Sequence, residues 1–121
     1  MRIVEINGSN IKLTEAIKKH IQEKLGSVAK ICEQFEPCDV RADVGKTTNH
    51  HQKGDVFVAE FNLTIPGTLL RAEAKTDDLY KAIDRASTEL KRQVKKYKEK
   101  LRDADRVVMD TSIEEHEWSE E

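Results

Sequence analysis

The sequence predicts an α+β two-layer sandwich of order β-α-β-β-β-α, with two helices packed on one face of a four-stranded sheet. Three observations predict it. Apolar residues recur at helical spacing in residues 17–32 and again in 79–101. They alternate at period two in three shorter runs between residues 38 and 74, and Pro66-Gly67 separates the last two of these as a tight turn. A chain of 121 residues, 37% apolar and 36% charged with three Phe, two Tyr and one Trp, holds one domain with a small aliphatic core.

The first strand is RIVEI, closed by the turn-like NGSN. A helix follows, with Thr14 as N-cap and Glu15 at the positive end of the helix dipole. Ile17, Ile21, Leu25, Val28 and Cys32 form its apolar stripe. Gly26 costs about 1 kcal/mol relative to Ala inside a helix, so the helix is expected to loosen or end soon after it. From Cys38 the period becomes two: Cys38, Val40, Ala42 and Val44 face inward and Asp39, Arg41 and Asp43 outward. GKTTNHHQKG, residues 45–54, reads as a loop. DVFVAEFNLTI then places Phe57, Ala59, Phe61, Leu63 and Ile65 on one face, and TLLRAEAK returns with Leu70, Ala72 and Ala74 inward.

The last element starts at a cap-like Thr76 followed by Asp77 and Asp78. On a helical wheel Leu79, Ile83, Ala86, Leu90, Val94, Tyr97 and Leu101 share one stripe about 80° wide. Tyr80 falls beside the stripe and reads as a helix–sheet boundary residue. Residues 103–121 show no apolar period and are expected to form an acidic, disordered tail, distinct from the folded domain of residues 1–102.

A net charge of −2 hides an asymmetry. Residues 1–102 carry 20 Lys/Arg against 15 Asp/Glu, net +5, and residues 103–121 one Arg against eight acids, net −7. The charge is concentrated again in residues 81–102, with nine cations and three anions. Lys81 lies opposite the apolar stripe, with Arg85, Arg92, Lys95, Lys96 and Arg102 within about 60° of it and Lys91 just beyond. A solvated helix face normally mixes signs at i, i+4, whereas between Leu90 and Arg102 the one acid is Glu99. A face that repels itself is better explained by a polyanion that neutralises it, and RNA does so with release of condensed counterions. On the first helix Lys19 and Lys30 point away from the core, with Lys18 and Lys24 on the flanks. The two outer helix sides are expected to make one basic surface with a groove between them. The wet sheet face, with Arg41, Asp43, Glu60, Asn62, Arg71 and Glu73, offers no aromatic on which a base could stack.

Other chemistry finds no support. His20, His50, His51 and His116 make no ligand spacing, Cys32 and Cys38 read as buried thiols, and there is no phosphate-cradling glycine pattern or nucleophile elbow, so neither metal, cofactor nor catalysis is expected. The loop histidines His50 and His51 are expected in solvent or against RNA. No window is long and apolar enough to span a bilayer, and no signal peptide opens the chain, so a cytoplasmic protein is expected. It is also expected to be a monomer when free.

The run TDDLYKAIDRASTELKRQVKKYKEK, preceded by FNLTIPGTLLRAEAK and IKLTEAIKKHIQEKL, resembles the ribosome hibernation-promoting factor and ribosome-associated inhibitor family, also called the sigma-54 modulation family. The likeness covers residues 1–102, with Asp78, Tyr80, Ala82, Ile83, Leu90, Arg92 and Gln93 in register. It implies the same fold and a stationary-phase or cold-stress translation inhibitor. Such a protein would lie in the mRNA and tRNA channel of the small ribosomal subunit and protect idle, intact ribosomes. By residue match it implies that Arg92, Lys96, Lys100, Lys24 and Lys30 contact small-subunit rRNA; Lys81, Arg85, Lys91 and Lys95 join them on geometry. Long-form members append a dimerising domain, whereas the acidic segment with Trp118 resembles the inhibitor-A type, which opposes ribosome pairing.

Two rivals stand beside this reading. A double-stranded RNA-binding domain has an overlapping α-β-β-β-α order but uses cations at the N-terminal end of its second helix, where this chain has Thr76-Asp77-Asp78. A protein-binding regulator acting through the acidic tail would lose its partner on removal of residues 103–121, whereas a ribosome binder would keep most of its rRNA affinity.

Overall fold

A computed structural model of the chain describes residues 1–48 and 54–118, with side chains described outside residues 48 and 105–118. The elements are β1 (Arg2–Ser9), α1 (Glu15–Cys32), a 3-10 turn (Glu33–Phe35), β2 (Asp39–Thr48), β3 (Asp55–Ile65), β4 (Thr68–Thr76) and α2 (Leu79–Trp118). The order is the expected β-α-β-β-β-α. The sheet runs β1-β2-β3-β4, with β1 parallel to β2 across the α1 crossover and the other two pairs antiparallel.

The helical stripes and the inward strand residues meet in one core. Ile17, Ile21, Leu25, Val28 and Cys32 of α1 are buried, as are Leu79, Ile83, Ala86, Leu90 and Val94 of α2. Between the helices and the sheet lie Val40, Ala42, Val44, Ala59, Phe61, Leu63, Ile65 and Ala72. Phe61 is the largest fully buried side chain and sits on a central strand. Cys32 and Cys38 are free and buried, as expected; the Cys38 thiol donates to the Cys32 carbonyl oxygen at 3.4 Å. Burial pushes both thiols up, that of Cys32 to about 12, so neither is poised as a nucleophile.

Several boundaries differ from the sequence expectation. β1 continues through Gly8 to Ser9, because Asn7, Gly8 and Ser9 pair in parallel with Asp43, Val44 and Gly45. Gly45 is required there: a Cβ would stand 2.9 Å from the Ser9 carbonyl oxygen. β2 likewise takes in residues 45–48, which pair with Asp55–Val58 on β3. Polar composition reads as loop, but a strand with one wet face needs only that its backbone groups find partners. Gly26 neither ends nor loosens α1, since its side is open to solvent and the apolar stripe continues on the opposite face. At the start of α2 the cap is Asp78, not Thr76: its Oδ1 accepts from the amides of Tyr80 at 2.8 Å and Lys81 at 3.2 Å. Thr76 closes β4, its hydroxyl accepting from the Asp78 amide at 3.0 Å. The helix then runs on to Trp118, past residue 102, through a stretch that contains neither Gly nor Pro.

At the start of α1 the expected cap is present: Thr14 Oγ1 accepts from the Ile17 amide at 3.2 Å. Thr14→Ala is expected to lower unfolding free energy by about 1 kcal/mol. Urea titration followed by circular dichroism measures this, and an unchanged midpoint would remove the cap from the account.

Candidate nucleic-acid interface

The two faces of the domain differ in charge for reasons of strand and helix geometry. Across the wet sheet face the strand register lines up Asp43, Glu60 and Glu73 on neighbouring strands. Arg71 is drawn into an ion pair with Glu60. A row of three carboxylates repels phosphate, so the sheet face is a poor RNA platform on electrostatic grounds as well as for want of aromatics. The helix face is the basic one. Buried Leu90 and Val94 anchor α2, which leaves Lys91, Arg92, Lys95 and Lys96 around the outer half of the same turns.

Apart from Arg92, which pairs with Glu89 on its own helix, the predicted contacts fall into two groups. Some are already engaged inside the protein. Lys24 Nζ lies 3.6 Å from Asp84 Oδ1, which also contacts His20 Nε2 at 2.7 Å, and Tyr80 stands edge-on to the His20 ring at 4.9 Å between centroids. Tyr80 thus marks the boundary between the two helices, not between helix and sheet. Lys81 Nζ is 3.7 Å from Asp77, one turn back. The wheel missed Asp84 because it reaches across to α1, a contact that no spacing within α2 reveals, whereas the i, i+4 spacing of Asp77 and Lys81 was there to be read. The expected basic groove between the helices therefore has a carboxylate in it.

The other group is free to meet a ligand. Arg85, Lys95, Lys96, Lys100 and Lys30 are exposed and Lys91 half-buried. No ion pair of any of these six is found among the described residues. Arg92, Lys96 and Lys100 recur every four residues, about 6 Å of rise apart. They line one side of a groove of about 330 Å³ whose other residues are Thr68, Leu70, Gln93 and Tyr97. This groove lies between α2 and β4, on the flank of α2 away from α1. Lys24 and Lys30 are not part of it.

Arg92 is held in place within that groove. Its Nε and Nη2 donate to the two carboxylate oxygens of Glu89 at 3.0 and 2.7 Å. Gln93 Nε2 donates to Glu89 at 3.0 Å and to the Arg71 carbonyl oxygen on β4 at 2.8 Å. The hydrogen bonds from Arg92 and then Gln93, with the charges of Arg92 and Lys96, push the Glu89 carboxyl down to about 2, so it is ionised at any physiological pH. Glu89 and Gln93 were not among the sequence candidates. The spacings of Glu89 to Arg92, i, i+3, and to Gln93, i, i+4, were the signal that could have found them.

Among the described residues no cluster of three or more metal-ligating side chains occurs, and no helix is long and apolar enough to cross a membrane. His50 and His51, expected in solvent or against RNA, lie outside the described residues.

Residues 4–102 match the family model described as sigma 54 modulation protein / S30EA ribosomal protein. The chain belongs to that family. Its members are non-enzymatic. The chain is 34% identical over 98 residues to a ribosome hibernation promotion factor of Deinococcus radiodurans, and 35% identical over 97 residues to that of Staphylococcus aureus. These alignments cover 81% and 80% of this chain but 50% and 48% of the relatives, so the chain spans about half the length of the curated relatives it matches. Among solved structures, the N-terminal domain of Thermus thermophilus Protein Y is similar with a TM-score of 0.62 at 31% identity, covering 80% of this chain and 99% of that one. A ribosomal subunit interface protein from Coxiella burnetii, at 23% identity and a TM-score of 0.60, shares the fold and covers 81% of this chain and 98% of its own. The family's fold is the one derived above.

Proposed function

We propose that this chain is a cytoplasmic, stress-related translation inhibitor that binds the small ribosomal subunit through its rRNA and holds idle ribosomes out of use. One observation carries the reading. An ordered row of cations, Arg92, Lys96 and Lys100, lines a groove beside a stiff helix, and Lys95 and Lys96 have no carboxylate partner among the described residues. A fixed array of this kind suits a shaped polyanion, and family membership supports rRNA over other nucleic acids. Lys30, Lys81, Arg85, Lys91 and Lys24 would add contacts around it, the Lys81–Asp77 and Lys24–Asp84 pairs breaking where phosphate competes for the lysines. The channel that carries mRNA and tRNA anticodon stems is the site we favour, with a free monomer as the binding species.

Binding through such a face must depend on salt. With about six phosphate contacts, affinity for duplex DNA falls about a thousandfold between 50 and 200 mM salt, and folded RNA responds with the same sign. Cosedimentation of the purified chain with small subunits across that range is expected to show the same steep loss. A flat response would overturn the basic face as the binding surface. The likeness of residues 103–121 to the inhibitor-A type favours a chain that opposes ribosome pairing, and a sucrose gradient of stressed cells with and without the protein reads this directly as the ratio of single to paired ribosomes.

A further inference from the structure

The groove between α2 and β4 is organised around one guanidinium. An exposed arginine samples many rotamers, and ordering it on a ligand costs conformational entropy. Arg92 is ordered in advance: Glu89 takes its Nε and Nη2, and Gln93 ties Glu89 to the Arg71 carbonyl oxygen on the sheet edge. Both amide hydrogens of Gln93 are used in this, one on each partner, so the clasp spans helix and strand. A guanidinium has five N–H donors arranged as two forks. With the Nε/Nη2 fork occupied, the Nη1/Nη2 edge remains for a second anion, and Lys96 and Lys100 follow Arg92 along the same groove.

We propose that Glu89 is a positioning residue for RNA: it holds Arg92 so that the open edge of the guanidinium receives a backbone phosphate seated in the α2–β4 groove, with Lys96 and Lys100 beside it. This inference rests on the rRNA-binding reading above and deepens it. It also reverses what charge alone dictates. Removing Glu89 adds one positive charge to the face, so a diffuse basic patch would bind any RNA more tightly without it. A pre-set fork would bind its shaped target less tightly.

The test uses the full chain and purified small subunits, with polyuridine as the unshaped probe. Glu89→Gln is expected to weaken small-subunit binding by about threefold, the size of a solvent-exposed ion-pair contribution. The same variant is expected to bind polyuridine as well as or better than the parent. In an Arg92→Lys background, which keeps the charge and loses the fork, Glu89→Gln is expected to cause no further loss on small subunits. Tighter or unchanged small-subunit binding by Glu89→Gln, or an equal loss in both backgrounds, would overturn the positioning role. Failure of the underlying reading looks different: Arg92→Ala would then bind small subunits as well as the parent.

Discussion

Changing Arg92 and Lys96 together to glutamate is expected to abolish cosedimentation with small ribosomal subunits while the folded domain survives. Both side chains are exposed and neither contributes to the core, so the change acts on the surface alone. Each reversal removes a charge-assisted contact and sets a carboxylate against phosphate. Loss of a hydrogen bond to a charged group is worth about tenfold or more in affinity, so the pair should cost at least about a hundredfold. The new glutamate at 92 would also face Glu89, turning one clasp of the groove into a repulsive pair. The Arg92–Glu89 pair it destroys is an exposed one that adds little to stability. Circular dichroism of the variant should match the parent, and pelleting with subunits at low salt is the readout. Undiminished pelleting by a folded double variant would sink the proposal that this groove grips rRNA.

Leu90→Ala carries the largest expected effect on the fold. Leu90 is fully buried in the middle of the α2 stripe, and truncating a buried leucine costs about 2–5 kcal/mol in lost transfer energy and residual cavity. In a domain of this size 1 kcal/mol corresponds to about 4–8 °C, so a fall in melting temperature of about 10 °C or more is expected. The control is Leu101→Ala. The sequence places Leu101 on the same stripe, yet it is 39% exposed, so its truncation is expected to leave the melting temperature nearly unchanged. Equal losses from the two variants would show that the helix is held along its whole length and not by its first four turns. Leu90→Ala should also weaken subunit binding, through a smaller folded fraction, and stabilising osmolyte should restore it; no osmolyte restores the charge-reversed variant.

Much of the molecule was legible from local pattern. Periodicity placed the core residues of both helices and three strands because a half-buried element must repeat its apolar residues at its own pitch. The polar strand ends at Asn7–Ser9 and Gly45–Thr48 were not legible, since their partners are distant in sequence and the pairing is between backbone groups that every residue shares. The cap of α2 was misplaced by two residues because Thr76, Asp77 and Asp78 are all capable caps and the exit of β4 selects among them. Among the site residues, the exposure of Lys95 and Lys96 followed from the wheel, whereas Lys100 came from the family resemblance. The engagement of Lys24 by Asp84 did not, because a wheel describes one helix and the contact joins two.

The sequence by itself determined the order of elements, the apolar faces that meet in the core, and the helix that carries the unbalanced positive charge. Each of these follows from periodicity and charge within one segment. Only the tertiary structure decided which cations are spent on internal carboxylates and which remain. It also decided that the groove they line lies between α2 and β4, not between the two helices, and that Arg92 stands clasped by Glu89 and Gln93 against the sheet edge. The reason is physical: a side chain's availability depends on what lies within a few ångströms of it, and those neighbours arrive from other segments of the chain.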